Sequence, residues 1–142
     1  MPSAQRTVSI RRPVDQVFRF LADGRTATQW RSGVLDVAKV SGDGLGAVYR
    51  QQVRGPGGRP VDADYEITAF ETDELIAFRT VAGPVRPTGS FAFEAMGDAT
   101  ILTFRLDAEL GGWKRLFMSR PVQATMDAEM RALDELQDLL ER

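Results

Sequence analysis

The chain has 142 residues, of which 43% are hydrophobic and 27% are charged, and its net charge is −2. These values are typical of one globular domain, which we expect to span residues 1–142, and they do not indicate a basic nucleic-acid-binding protein. Histidine and cysteine are both missing from the sequence, which excludes disulfides and cysteine-based metal sites and removes the usual general base of enzymes.

The N-terminal part of the chain predicts one strand followed by two short helices. Residues 5–10 alternate between polar and apolar side chains, which predicts an edge strand. Residues 13–22 carry apolar side chains at helical spacing and begin with a proline, which suits the first turn of a helix. An Asp-Gly pair ends this helix, and residues 25–30 predict a second short helical turn.

The middle of the chain predicts an antiparallel sheet. Apolar residues recur there at every second position, and short turns rich in glycine separate the alternating segments. With the first strand this gives a seven-stranded antiparallel sheet joined by hairpins, with one polar face and one apolar face that must be covered. The predicted strands are residues 34–40, 47–54, 60–70, 75–81, 88–96 and 100–110.

The C-terminal segment predicts the helix that covers the sheet. From Val122 onwards the apolar residues follow one another at steps of three and four, which is typical of an amphipathic helix. We expect a single long helix from residue 113 to residue 140, with a kink at Pro121 because proline lacks the backbone N–H. The predicted fold class is therefore α+β.

Several short motifs occur along the chain in a recognisable order. They are RPVDQVF at residues 12–18, Trp30, GSFAFE at residues 89–94 and LDEL at residues 133–136. In order and spacing they resemble the START-like superfamily, also called SRPBCC, and within it the bacterial polyketide cyclase/dehydrase-like proteins. The resemblance covers nearly the whole chain. It implies the helix-grip fold, in which a curved sheet wraps around the long C-terminal helix and leaves a ligand cavity between them.

That cavity is the expected ligand site, because apolar pockets with a few placed polar groups are where small molecules usually bind. Tyr49, Tyr65 and Gln51 are its polar candidates, since a buried phenol needs a hydrogen-bond partner that a ligand can supply. We expect Trp30 near the entrance, and plain core packing is the alternative interpretation of every candidate. The predicted cavity-lining residues are Trp30, Tyr49, Gln51, Tyr65, Ile67, Phe78, Phe91, Phe93, Met126 and Met130.

Three functions stay open at this point. The first is a non-catalytic carrier or sensor of a small hydrophobic or aromatic ligand. The second, implied by the resemblance, is a polyketide cyclase/aromatase-like enzyme, although a tyrosine with a pKa of about 10 is a poor base at neutral pH. The third is a protein-interaction module, which an exposed apolar patch at residues 113–118 (WKRLFM) would favour. The same segment is also compatible with a lid, a membrane-surface contact or a plain helix start.

We expect a small apolar or aromatic molecule as the partner, and no cofactor, metal or nucleic acid. The N-terminus lacks the apolar region of a signal peptide, and no stretch reaches the roughly 18 apolar residues of a membrane span. The expected location is therefore the cytoplasm. A monomer and a homodimer are both compatible with the sequence.

Overall fold

The computed structural model describes residues 2–142, apart from the side chains of Pro56 and Trp113. A large curved antiparallel sheet and a C-terminal helical segment make up the fold, which is the α+β class that the sequence predicts. The strands are β1 (Ser3–Ile10), β2 (Val34–Ser41), β3 (Val48–Arg54), β4 (Pro60–Asp62), β5 (Tyr65–Glu71), β6 (Leu75–Thr80), β7 (Thr88–Met96) and β8 (Ala99–Asp107). The helices are α1 (Val14–Ala22), α2 (Gly112–Arg131) and α3 (Leu133–Glu141), with 3₁₀ helices at Gly24–Gln29 and Pro56–Gly58.

Helix α1 and the 3₁₀ helix after it form where the sequence predicts two short helices. Pro13 precedes α1 with an extended backbone, and Val17, Phe18 and Leu21 form the buried face of the helix. These side chains share one face because residues three and four positions apart meet on a 3.6-residue repeat. The Asp23 carboxylate accepts a hydrogen bond from the Arg25 backbone N–H and so caps the 3₁₀ helix.

The strands follow the order β1-β8-β7-β6-β5-β3-β2 across the sheet, and each neighbouring pair is antiparallel. Strand β1 is an edge strand, as predicted. Strand β4 pairs with β3 beside this path. The inward-facing positions of β7 and β8 alternate with exposed or half-buried ones, so that a single face of these strands supplies the core.

The described part of the chain has eight strands instead of the predicted seven, because the predicted strand at residues 60–70 divides at Ala63 and Asp64. The Ala63 N–H donates to the Gln51 carbonyl at 2.8 Å, and the Asp64 carboxylate accepts from the Gln51 N–H at 3.1 Å. These bonds interrupt the regular ladder, so that β4 pairs with the end of β3 and β5 with its beginning. The apolar alternation continues across the division, which is why the sequence does not indicate it.

The predicted C-terminal helix consists of two segments. Pro121 lies inside α2, and the division falls at Ala132 instead. Hydrogen bonding continues across the division, since the Ala132 N–H donates to the Ala128 carbonyl and the Leu136 N–H donates to the Ala132 carbonyl. The leucines of α3 fix its direction because Leu133 and Leu136 are fully buried against the sheet. The sequence does not indicate the division at Ala132, and a bend of α2 at Pro121 stays a prediction.

The C-terminal helices lie along edge strand β1. The Arg6 guanidinium donates to the Met130 carbonyl at 3.1 Å, and the Gln137 amide donates to the Ser9 carbonyl at 2.7 Å. The Gln123 amide donates to the Ser3 carbonyl at 2.7 Å. The bonds to the Ser3 and Ser9 carbonyls occupy backbone groups at the β1 edge, which would otherwise be available for pairing with another strand.

Candidate ligand-binding site

A small inner cavity lies between the 3₁₀ helix Gly24–Gln29 and the inward faces of strands β3, β5, β6 and β7. Its volume is about 40 Å³, which is room for about two or three water molecules and not for a ring system. Apolar and aromatic side chains provide most of its wall. The predicted site residues that line it are Trp30, Tyr49, Gln51, Tyr65, Ile67, Phe78 and Phe91.

Three predicted residues do not line this cavity. The Phe93 ring packs edge-to-face on Phe18, with the ring centroids 5.1 Å apart. Met126 and Met130 are buried in the core and do not line the cavity. Trp30 is 4% exposed, so that it forms part of the inner wall and not the entrance that the sequence suggested.

The inner cavity is small because aromatic rings fill the space beside it. Tyr49 and Tyr65 stack with their centroids 5.0 Å apart, and Tyr65 contacts Phe78 at 5.6 Å. Phe78 in turn contacts Phe91 at 6.3 Å, and Phe91 stacks on Phe104 at 4.5 Å. This row of rings crosses four neighbouring strands and then β8. The alternation of the strands predicts that these rings face inward, but not that they pack against one another.

Gly24 closes the tyrosine end of the cavity. A Cβ atom at this position would overlap the Tyr65 hydroxyl and would lie 2.9 Å from Cε1 of Tyr49. The 3₁₀ helix can therefore approach the tyrosine pair this closely only with a glycine at its first position. In the sequence, the Asp-Gly pair indicates only the end of α1.

Two buried polar atoms of the cavity wall have no hydrogen-bond partner among the described residues. They are Nε1 of Trp30 and Oε1 of Gln51. The amide nitrogen of Gln51 donates to the Ala63 carbonyl at 3.2 Å, which leaves Oε1 as the free end of the amide. The indole nitrogen can only donate and the amide oxygen can only accept. The indole nitrogen therefore needs an acceptor and the amide oxygen needs a donor.

Three groups of the wall, Tyr65, Asp23 and Arg31, have pKa values shifted away from neutrality. Burial raises the pKa of the Tyr65 phenol above its ordinary value. The hydrogen bond from Arg25 lowers the pKa of Asp23. Burial lowers the pKa of Arg31, but the charge and hydrogen bonds of Glu129 outweigh this effect and raise it. Near pH 7 the phenol therefore stays neutral, and the carboxylate and guanidinium stay charged.

A larger outer cleft lies beside Arg31, between helix α2, the residues before β2 and the end of β3. Its volume is about 270 Å³. Arg31, Ser32 and Gly33 line one side and Arg54 another. The facing side belongs to α2 and the residue that follows it, and it consists mainly of small residues. These helical residues are Ala124, Thr125, Ala128, Glu129 and Ala132.

An ion pair separates the cleft from the inner cavity. Arg31 lines both spaces, and its Nε and Nη2 atoms donate to the two carboxylate oxygens of Glu129 at 2.6 and 3.1 Å. The side chains are 15% and 11% exposed, respectively. Sequence reasoning missed the cleft and the pair, because 98 positions separate the two residues. The one sequence signal of the cleft is the four-residue spacing of Ala124, Ala128 and Ala132, because it leaves one helix face without large side chains.

Part of the segment at residues 113–118 forms an exposed apolar surface. Leu116 and Phe117 are 77% and 68% exposed. The Lys114 ammonium donates to the Pro84 carbonyl at 3.0 Å, which connects the start of α2 to the loop before β7. The predicted patch also included Trp113, whose side chain lies outside the described residues.

Comparisons with known proteins show which family the chain resembles. The profile of the family described as polyketide cyclase/dehydrase and lipid transport matches residues 1–141. No curated protein sequence matches the chain. No helix in the described part of the chain is long and apolar enough to cross a membrane.

Solved structures share the fold over almost its full length. A START superfamily protein from Mycobacterium smegmatis is 15% identical, with a TM-score of 0.76 and coverage of 97% of this chain and 98% of that one. The Zhui aromatase/cyclase from Streptomyces sp. R1128 is 17% identical, with a TM-score of 0.71 and coverage of 97% and 90%. The major latex-like protein 151 of Panax ginseng is 13% identical, with a TM-score of 0.72 and coverage of 95% and 96%. These structures show the fold that the sequence resemblance implies, and the profile match confirms the resemblance to the polyketide cyclase/dehydrase-like proteins.

Proposed function

The chain belongs to the polyketide cyclase/dehydrase and lipid transport family, and we propose that it binds a small aromatic ligand without converting it, as a carrier or sensor. The ligand would enter the aromatic inner cavity between the sheet and the 3₁₀ helix Gly24–Gln29. The observation that carries this proposal is a pair of buried polar atoms in a largely apolar wall, Nε1 of Trp30 and Oε1 of Gln51, which have no hydrogen-bond partner among the described residues. Leaving a buried polar group unsatisfied costs about 1–3 kcal/mol, which a hydrogen-bonding ligand would recover.

The inner cavity must widen to admit a ring, because its present volume is about 40 Å³. The tyrosine pair is the element that we expect to move, since the Tyr49–Tyr65 stack forms one wall against Gly24. A stacked pair contributes roughly 0.5–1.5 kcal/mol beyond its burial, whereas a bicyclic ligand that buries about 200 Å² gains roughly 5 kcal/mol. Binding can therefore offset the separation of the two rings.

The ionisable groups of the cavity wall support binding without chemistry. A general base or acid works best when its pKa lies near the operating pH. The pKa values of Tyr65, Asp23 and Arg31 are instead shifted away from neutral pH. The phenol therefore stays neutral, and the carboxylate and the guanidinium stay charged. These side chains are suited to hold and orient a ligand and poorly suited to exchange protons with it.

Tryptophan fluorescence offers a direct test. The sequence has two tryptophans, so that a Trp113→Phe variant leaves Trp30 in the cavity wall as the sole emitter. Titration with 2-naphthol, a neutral bicyclic phenol, should change the Trp30 emission saturably. Gln51→Met in the same background should weaken binding about fivefold, because one hydrogen bond is worth about 1 kcal/mol. An emission that does not saturate, together with native mass spectra of the purified protein that contain no small molecule, would refute the proposal.

An aromatase/cyclase activity is the second candidate. The similar structures include proteins whose names describe this activity, and Arg31 places a positive charge at the edge of the inner cavity. Incubation with a linear poly-β-ketone thioester separates the two functions. A binding protein should return the substrate unchanged, whereas loss of water with formation of an aromatic chromophore would establish the enzyme.

A further inference from the structure

The outer cleft differs from the inner cavity in its charges, and we propose that it is a second subsite that holds a carboxylate of the same ligand. This inference rests on the proposed function. The ligand would then be a hydroxylated aromatic acid, with its ring and hydroxyl at the inner cavity and its acid group in the cleft. Arg31 lines both spaces, so that the two subsites meet at one side chain.

The charges that line the cleft favour an anion. Arg31 and Arg54 contribute two positive charges and Glu129 one negative charge. Within the described part of the chain, no carboxylate lies within salt-bridge distance of Arg54. Glu129 engages Nε and Nη2 of Arg31, which leaves Nη1 of that guanidinium for another acceptor. A carboxylate between Arg54 and Nη1 of Arg31 would balance the remaining positive charge.

The shape of the cleft suits an organic acid better than an inorganic ion. Ala124, Ala128 and Ala132 present methyl groups from the helical side, so that the wall opposite the arginines is largely apolar apart from Thr125 and Glu129. The volume of about 270 Å³ approaches the roughly 300 Å³ at which ligand pockets begin. Hydrocarbon against the alanines and a carboxylate against the arginines would use both walls.

The two spaces meet at the ion pair. Both side chains of the pair are largely buried, and a buried charge that loses its partner is strongly disfavoured. We therefore expect Arg31 to keep its bonds to Glu129 when a ligand binds, so that the ligand carboxylate contacts Arg54 and the remaining Nη1 atom of Arg31. A neutral ligand gains no hydrogen bond between opposite charges there.

The test compares two probes that differ only in charge. The acid 6-hydroxy-2-naphthoate and its amide 6-hydroxy-2-naphthamide are titrated calorimetrically into the full chain at low and at high salt. We expect the acid to bind roughly tenfold more tightly than the amide, since hydrogen bonds to a charged group are about twice as strong as neutral ones. The preference should shrink in high salt. The variant Arg54→Gln should remove most of the preference, because it removes one of the two positive charges of the cleft.

Arg50→Gln is the matched control. Arg50 lies on the same strand, is exposed and does not line the cleft, so that its loss should change neither affinity. Equal affinities of the acid and the amide in the parent protein would overturn the carboxylate subsite and leave the proposed function standing. An unchanged preference in Arg54→Gln would also overturn it. If neither probe binds, the proposed function fails and the subsite fails with it.

Discussion

The two halves of the interior are built differently. Where α3 covers β1 and β8, apolar side chains are fully buried. These residues are Ile10, Leu102, Phe104, Leu133 and Leu136. Where the 3₁₀ helix faces β3 and β5, the wall contains unpartnered polar atoms on Trp30 and Gln51 and encloses a cavity. The first half stabilises the fold, and this allows the second half to keep groups that cost stability but can bind a ligand.

The helical segment contributes to both halves with different side chains. Leu133 and Leu136 of α3 fill the space above the sheet, whereas Ala124 and Ala128 of α2 leave the outer cleft open. Burying a leucine side chain stabilises the fold by roughly 1.5–3 kcal/mol, and burying the smaller side chain of an alanine stabilises it by less. The difference in side-chain size therefore decides where the protein is packed and where it is open.

The largest effect is expected in the packed half. Leu133→Ala should lower the free energy of unfolding by about 2–5 kcal/mol, because the site is fully buried and cannot collapse around the lost atoms. Denaturant melts measure the change. Leu116→Ala is the control, since Leu116 is 77% exposed, and it should change stability by less than about 0.5 kcal/mol. A similar loss in both variants would contradict the division into two halves.

A smaller loss is expected at the wall of the cavity. Gly24→Ala places a methyl group against the Tyr49–Tyr65 stack, and such overpacking costs about 1–3 kcal/mol. Gly111→Ala is a matched control, because a Cβ there meets no atom within 4 Å in the described part of the chain and its φ of −104° suits any residue. Equal free energies of unfolding for the two variants would show that the tyrosine rings move aside at little energetic cost.

Removing a polar group from the cavity wall should not lower the free energy of unfolding. Gln51→Met relieves the desolvated Oε1 and loses the hydrogen bond to the Ala63 carbonyl. Because these effects nearly cancel, the free energy of unfolding should stay constant or rise by up to about 1 kcal/mol. Denaturant melts of the ligand-free protein measure it. A loss above about 2 kcal/mol would mean that Gln51 contributes to the fold as the packed half does.

The smallest effect concerns Tyr65 at high pH. Burial raises the pKa of this phenol in the folded state, whereas the unfolded chain releases the proton at a pKa of about 10. The stabilisation is complete below pH 10 and falls as the pH rises above it, because the unfolded state then binds fewer protons. Unfolding free energies measured across this range should fall more steeply for the parent than for Tyr65→Phe. Parallel curves would contradict the prediction.

Local sequence patterns determined much of the fold. The two-residue alternation located the strands, and the spacing of Leu133 and Leu136 identified the covering helix, because both periods follow from backbone geometry alone. The division at Ala63 and the break at Ala132 escaped these patterns. The former depends on hydrogen bonds to a neighbouring strand, and the latter depends on packing against the sheet.

The sequence also indicated which side chains face inward, such as Tyr49, Gln51 and Tyr65, since alternation assigns each residue to a face. Only the tertiary structure decided how much space these side chains leave, because the aromatic rings pack on partners from other strands. It likewise decided that Arg31 meets Glu129 across 98 positions of sequence. A periodic pattern specifies the direction of a side chain relative to its own element, whereas a cavity or an ion pair depends on the distance between elements, which the packing of the whole core determines.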